Sequence, residues 1–184
     1  MKWLAVVVPL LLASLAWTFD LVRVKGRSME PSLCDGDLAV VFVRQLPRAS
    51  SRTPLEKVVL LAQRPEELIL KRIVAVGGDR IRLEHGGLVR NGEPVAESYA
   101  CGADYFETWP YGSHEGAQAS FKVPAGEVFV MGDNRTSSSD SRVFGSISMS
   151  SLRGTVAMTL PTLRGRQTCQ CGAARQGHPG KVKE

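Results

Sequence analysis

Ser28 lies in Gly26-Arg27-Ser28-Met29-Glu30-Pro31-Ser32-Leu33, between small, flexible neighbours and three residues before a proline. A serine hydroxyl becomes a nucleophile only when a base removes its proton. The 3 histidines, His85, His114 and His178, are scattered through Gly-rich loops and the tail, so the base must be a lysine or a carboxylate. Lys71 is the lysine whose setting fits: Leu68-Ile69-Leu70 precede it and Ile73, Val74 and Val76 follow. Lysine is a base only when neutral, so its ordinary pKa of about 10.4 must fall by several units; burial among apolar groups has that effect. A second reading stays open, a strand-edge lysine whose stem carries its charge to water. Ser28 likewise could be a turn residue. The third stretch is Gly132-Asp133-Asn134-Arg135-Thr136-Ser137-Ser138-Ser139-Asp140-Ser141-Arg142. The hydroxyls of Ser137, Ser138 and Ser139 could aim a neutral lysine without charging it. Asp140 and Arg142 could pair and stiffen the loop, and Asp133-Asn134-Arg135 could be a plain polar turn.

The elements that must position these residues read as strands. Asp37–Val43 is a β-branched apolar run opened by the turn-like Cys34-Asp35-Gly36. Val58–Ala62 is a second apolar run. Leu68–Val76 is nearly continuous in apolar residues, as a strand buried on both faces should be, and stops at Gly77-Gly78-Asp79. Arg80–Glu84 alternates strictly, and Leu88–Arg90 returns toward Asn91-Gly92, a hairpin signal. Glu93–Ser120 reads as an irregular insert, Glu127–Met131 as a strand, and Gly145–Leu160 as further strand pieces. No helical periodicity is sustained beyond the N-terminal run. The expectation is a mainly β, antiparallel domain.

The 184 residues suffice for one domain with a real core, and 43% apolar against 22% charged content marks it as globular. The net charge of +5 sits largely beside the N-terminal run and in the tail. No aromatic residues interleave a basic stripe, so nucleic acid is not an expected partner. The 4 cysteines, Cys34, Cys101, Cys169 and Cys171, lack zinc spacing and read as free or incidental thiols. No metal and no cofactor is expected. Trp3–Phe19 carries no charge and is bordered by Trp3, Trp17 and Phe19, as at a lipid interface. It reads as a retained anchor, or as a cleavable signal with Lys2 at its start and Ser14-Leu15-Ala16 as the cutting site. Arg23, Lys25 and Arg27 follow the run, and the positive-inside rule applied to them keeps the remaining chain in the cytoplasm.

Ser28-Met29-Glu30-Pro31, Lys71-Arg72-Ile73-Val74 with Gly77-Gly78-Asp79, and Gly132-Asp133-Asn134-Arg135 with Ser138, Asp140, Ser141 and Arg142 together resemble type I signal peptidases of the bacterial kind. The likeness runs over roughly 22–160, plus the anchor. It implies one N-terminal transmembrane helix (1–21), an antiparallel β peptidase domain (22–163, with a small β or irregular insert at about 83–122) and a basic tail (164–184). It implies Ser28 as nucleophile forming an acyl-enzyme, Lys71 as general base, and Ser138 hydrogen-bonded to that lysine. It further implies an Asp140–Arg142 ion pair and the Ser28 backbone N–H as oxyanion donor. Some members add a hydroxyl two residues before the nucleophile, where this chain has Gly26. Met29 and Leu33 are expected to help line the substrate pocket. The implied partners are preprotein signal peptides, cut after small residues at the first and third positions before the bond, and the lipid bilayer. The chain would be monomeric, with its catalytic domain on the outer face of a bacterial inner membrane, against the local charge count.

Overall fold

A computed structural model describes residues 18–43, 55–64, 66–84, 87–102 and 120–162, together with Trp3 and Val7. Eleven strands dominate: β1 (Phe19–Arg23), β2 (Leu38–Phe42), β3 (Val58–Arg64), β4 (Glu67–Val76), β5 (Arg80–Glu84), β6 (Gly87–Arg90), β7 (Glu93–Pro94), β8 (Phe121–Lys122), β9 (Glu127–Met131), β10 (Ile147–Ser148) and β11 (Leu152–Leu160). A short helix, α1 (Ser141–Phe144), follows the serine-rich loop. Every strand pairing is antiparallel. The larger sheet runs β1-β2-β11-β3-β4-β9-β10 and the smaller β7-β6-β5-β8.

The strand runs read from the sequence lie within a residue or two of these bounds. Asn91 and Gly92 both take positive φ, 56° and 91°, the backbone that a tight hairpin needs. Asn91 Oδ1 also accepts from the Arg80 N–H at 2.9 Å, tying the turn to β5. The smaller sheet starts at Arg80, three residues before the expected insert boundary, because Asp79 closes the preceding turn: its carboxylate accepts from the Val76 N–H at 3.0 Å. At the other end the strand texture starts earlier than expected. Phe19–Leu21, assigned to the anchor from the sequence, belong to β1 and pair with Val40–Phe42. The rest of the expected anchor, apart from Trp3, Val7 and Thr18, lies outside the described residues, as do 85–86 and 103–119 of the insert and residues 163–184. No helix among the described residues is long and apolar enough to cross a membrane.

Three apolar clusters fix the strands. Val24, Met29, Leu33, Ala39, Val41 and Leu60 pack beneath the Ser28 loop. Val59, Leu61, Ile73, Val128, Val130 and Leu152 fill the centre of the larger sheet. Val74, Ala75, Ile81, Leu88, Val123, Phe129 and Met131 join the two sheets. Strand β4 contributes to both of the latter. It pairs with β3 along Glu67–Arg72 and with β9 only along Arg72–Val76. The edge of β4 opposite β3 therefore lacks a strand partner over 67–71 among the described residues.

Candidate active site

Ser28 and Lys71 are 43 residues apart in sequence and meet in space: Lys71 Nζ donates to Ser28 Oγ at 2.8 Å. Lys71 sits in the buried middle of β4, 4% exposed, so the snorkelling alternative does not describe it. Burial lowers its pKa from the ordinary lysine value, and Arg142 pushes in the same direction. Asp140 and Asp133 oppose them. A short, desolvated Lys–Ser contact has the geometry for proton transfer from the hydroxyl.

The Gly132–Arg142 stretch packs behind this pair, and it is more than a polar turn: Asp133, Asn134, Arg135, Asp140, Ser141 and Arg142 are all buried. The Asn134 N–H donates to the Ser28 carbonyl at 3.0 Å, fixing the serine loop. Gly132 lies so close that a Cβ there would collide with the Ser28 carbonyl and Ser138 Oγ. The Asp140 carboxylate takes five hydrogen bonds, from the Gly132 N–H at 2.9 Å, Ser138 Oγ at 2.7 Å, and Arg142 N, Nε and Nη2 at 3.2, 2.8 and 2.9 Å. Burial alone would raise the Asp140 carboxyl; the Arg142 guanidinium, the Gly132 N–H and the Ser138 hydroxyl outweigh it and hold the group below the usual carboxylate range. Ser138 thus spends its hydrogen on Asp140, and the hydrogen bond of Lys71 goes to Ser28. Ser137 and Ser139 are exposed.

Next to Lys71 on β4, Arg72 forms a bidentate pair with Asp133, Nε–Oδ1 at 2.8 Å and Nη2–Oδ2 at 2.5 Å. It also donates to the Glu56 carbonyl at 2.6 Å and to Ser32 Oγ at 3.2 Å. Its guanidinium lies over the Tyr99 ring, 4.2 Å from the centroid. None of these Arg72 partners follows from local sequence.

A cleft of about 150 Å³ opens beside Ser28, lined by Val22–Gly26, Ser28, Met29, Leu60 and Leu68–Lys71. Of the two expected pocket residues, Met29 lines it. Leu33 does not: it packs into the apolar cluster beneath the loop without reaching the cleft. The apolar wall comes instead from Val22, Val24, Leu68, Ile69 and Leu70. Strand β4 was legible, but β1 and its approach to β4 were not. The Gly26 N–H, two residues before Ser28, is taken by Asp35 Oδ1 at 2.8 Å and is not an oxyanion donor. The Ser28 N–H makes no hydrogen bond among the described residues.

The cysteine expectation fails at Cys34 and Cys101, and Cys169 and Cys171 lie outside the described residues. Cys34 and Cys101 are both disulfide-bonded, and no described cysteine is free. Disulfide formation needs two sulfurs brought together by tertiary structure, which spacing along the chain does not reveal. No cluster of metal-ligating side chains occurs among the described residues.

Comparison with known proteins agrees on one family. Residues 1–160 match the model described as signal peptidase, peptidase S26. A signal peptidase I of Bacillus caldolyticus is 32% identical over 146 residues, covering 76% of this chain and 78% of that protein. One from Streptococcus pneumoniae serotype 4 is 31% identical over 180 residues, covering 80% and 85%. A crystal structure of a signal peptidase I from Enterococcus faecalis V583 superposes with a TM-score of 0.44 at 24% identity, covering 58% of this chain and 97% of that one. On the family model and these relatives, the chain belongs to the signal peptidase family of serine endopeptidases, peptidase S26.

Proposed function

We propose that the chain removes N-terminal signal peptides from exported preproteins, with Ser28 as nucleophile and Lys71 as general base. The observation that carries this is the 2.8 Å contact between a buried lysine of lowered pKa and a serine in the wall of a cleft. Neutral Lys71 takes the Ser28 proton as Oγ attacks the scissile carbonyl carbon. The resulting oxyanion faces the Ser28 N–H. As the C–N bond breaks, Lys71 returns the proton to the departing amine, the new N-terminus of the mature protein. Lys71 then deprotonates a water that attacks the ester, and Ser28 Oγ leaves with its proton restored. Asp140 and Arg142 hold the loop behind the lysine, and Ser138 is linked to that pair through its bond to Asp140.

The cleft supplies the binding mode. On one side is β1, the terminal strand of its sheet; on the other is the unpaired 67–71 edge of β4. An extended peptide entering between them finds main-chain partners. The cleft of about 150 Å³, walled beside Ser28 by Val22, Val24, Leu68, Ile69 and Leu70, suits small side chains, in keeping with cutting after small residues.

The outer face of β1, β2 and the end of β11 fits a lipid surface. Phe19 and Leu21 share that face with Leu38, Val40 and Phe42, and register brings Met158 and Leu160 beside Val40 and Leu38. Leu21 is 62% exposed and Met158 57%. So large an apolar face beside the N-terminal run marks an interaction site, and we place it on the bilayer. The N-terminal run is the membrane anchor, the described strands are the catalytic domain on the outer face of a bacterial inner membrane, and the chain acts as a monomer.

The test is cleavage of a preprotein with alanine at the first and third positions before the bond, using detergent-solubilised protein and mass-spectrometric product mapping. Cutting after the alanine, abolished in both Ser28→Ala and Lys71→Ala, is the expected result. Retained activity in Lys71→Ala would show that another group is the base.

A further inference from the structure

Tyr99 lies far from the three motifs in sequence, in the 95–102 segment that follows β7. Its ring caps one face of the Arg72 guanidinium at 4.2 Å. All three nitrogens of that guanidinium already donate, to Asp133, the Glu56 carbonyl and Ser32. The ring therefore closes off a face that water would otherwise occupy, and desolvation strengthens both the cation–π contact and the ion pair within it.

The ring is itself held firmly. Tyr99 OH donates to Glu97 Oε1 at 3.3 Å, and the Glu97 carboxylate grips Arg135 through both oxygens. Arg135 is 1% exposed at its side chain, and its Nε donates to the Gly132 carbonyl at 3.0 Å. Two residues beyond Tyr99, the Cys101 N–H donates to the Asp133 carbonyl at 2.8 Å and the Cys101 carbonyl accepts from the Arg135 N–H at 2.9 Å. The segment is therefore fastened along the same Asp133–Arg135 backbone that holds the Ser28 carbonyl.

We propose that Tyr99 is a positioning residue for the peptidase reaction: by capping Arg72 it keeps that guanidinium locked on Asp133, so that the Asp133 charge is neutralised beside Lys71. The inference rests on the reading of Lys71 as base.

The consequence is a shift in pH dependence. The charged groups acting on Lys71 are Asp140 and Arg142 from the serine-rich loop and start of α1, and Asp133 from the turn after β9, with Arg72 adjacent on β4. Asp133 favours the protonated lysine. Loosening its partner strengthens that effect, so the neutral fraction of Lys71 at a given pH falls.

The experiment is the pH profile of kcat/KM on a signal-peptide substrate for the detergent-solubilised full chain and its Tyr99→Leu and Tyr99→Phe variants. Phenylalanine keeps the ring and loses only the bond to Glu97. In Tyr99→Leu the acid limb should move up by roughly half a pH unit, with KM unchanged, while Tyr99→Phe should follow the native limb. The position of a limb does not depend on the fraction of folded enzyme, so a purely scaffolding role would lower its height without moving it. An unmoved limb in Tyr99→Leu, or an equal shift in Tyr99→Phe, would overturn this inference alone. Undiminished cleavage by Lys71→Ala, run alongside, would remove the base itself and overturn both readings.

Discussion

Asp140→Asn separates the two things that Asp140 does, because they push the measured quantities in different directions. The carboxylate is fully buried and pairs through both oxygens with Arg142, itself 5% exposed. Asparagine keeps the shape and one acceptor but leaves a buried guanidinium without its counter-charge. Breaking a buried pair in this way costs ~3–5 kcal/mol. At roughly 2–4 °C per kcal/mol for a domain of this size, Tm should fall by about 6–20 °C. The electrostatic effect is opposite in sense. Asp140 raises the Lys71 pKa more than any other charge, so its removal should lower that pKa further and carry the acid limb of kcat/KM to lower pH. Stability should also change its dependence on acid. The native Asp140 contribution is complete above the usual carboxylate range and fades as pH falls through its lowered folded value; the variant lacks that fading. Thermal melts and pH–rate profiles on the same detergent preparation read all three. Adding Arg142→Gln should recover part of the lost stability, since the stranded charge goes too. A Tm loss under about 2 °C, or an acid limb that moves to higher pH, would refute the assigned role of this pair.

Two further perturbations follow from the packing. Gly132→Ala places a methyl group against the Ser28 carbonyl and Ser138 Oγ; with displacements near 1 Å costing about a hundredfold, kcat should fall by at least that much while KM changes little. An unaltered kcat would show that the loops yield without moving Ser28. Replacing Leu21 and Met158 together with aspartate should lower the rate of preprotein cleavage in lipid vesicles several-fold while leaving cleavage of a short soluble peptide in detergent intact. An unchanged rate in vesicles would remove that face from the membrane contact.

What could be read from the chain was local. The strand runs, the Asn91-Gly92 turn and the end of β4 at Gly77-Gly78 depend on neighbours a few residues away, and propensity reports them. Ser28, Lys71, Asp140 and Arg142 could be singled out because each lies in a distinctive stretch. Leu33 could not be placed by that means: an apolar residue four positions after a buried Met29 fits a pocket wall or a core equally, and only the approach of β2 and β3 decides for the core. The bonds of Cys34 and Cys101, and the Glu97–Arg135 and Arg72–Asp133 pairs, link residues brought together by the tertiary fold. Ser138 could be placed near the lysine, but which acceptor takes its hydrogen depends on the turn that brings Asp140 within 2.7 Å.

The break in the larger sheet between β1 and the 67–71 edge of β4 has one more consequence. A slot that grips its guest by peptide groups treats all sequences alike, because every residue but proline presents the same N–H and C=O. Affinity from that source is generic, and discrimination falls to the few side chains that enter the wall near Ser28. On the proposed binding mode, one scaffold would serve a diverse clientele: selection would act on side-chain bulk near the cut, while the rest of each client's sequence could drift.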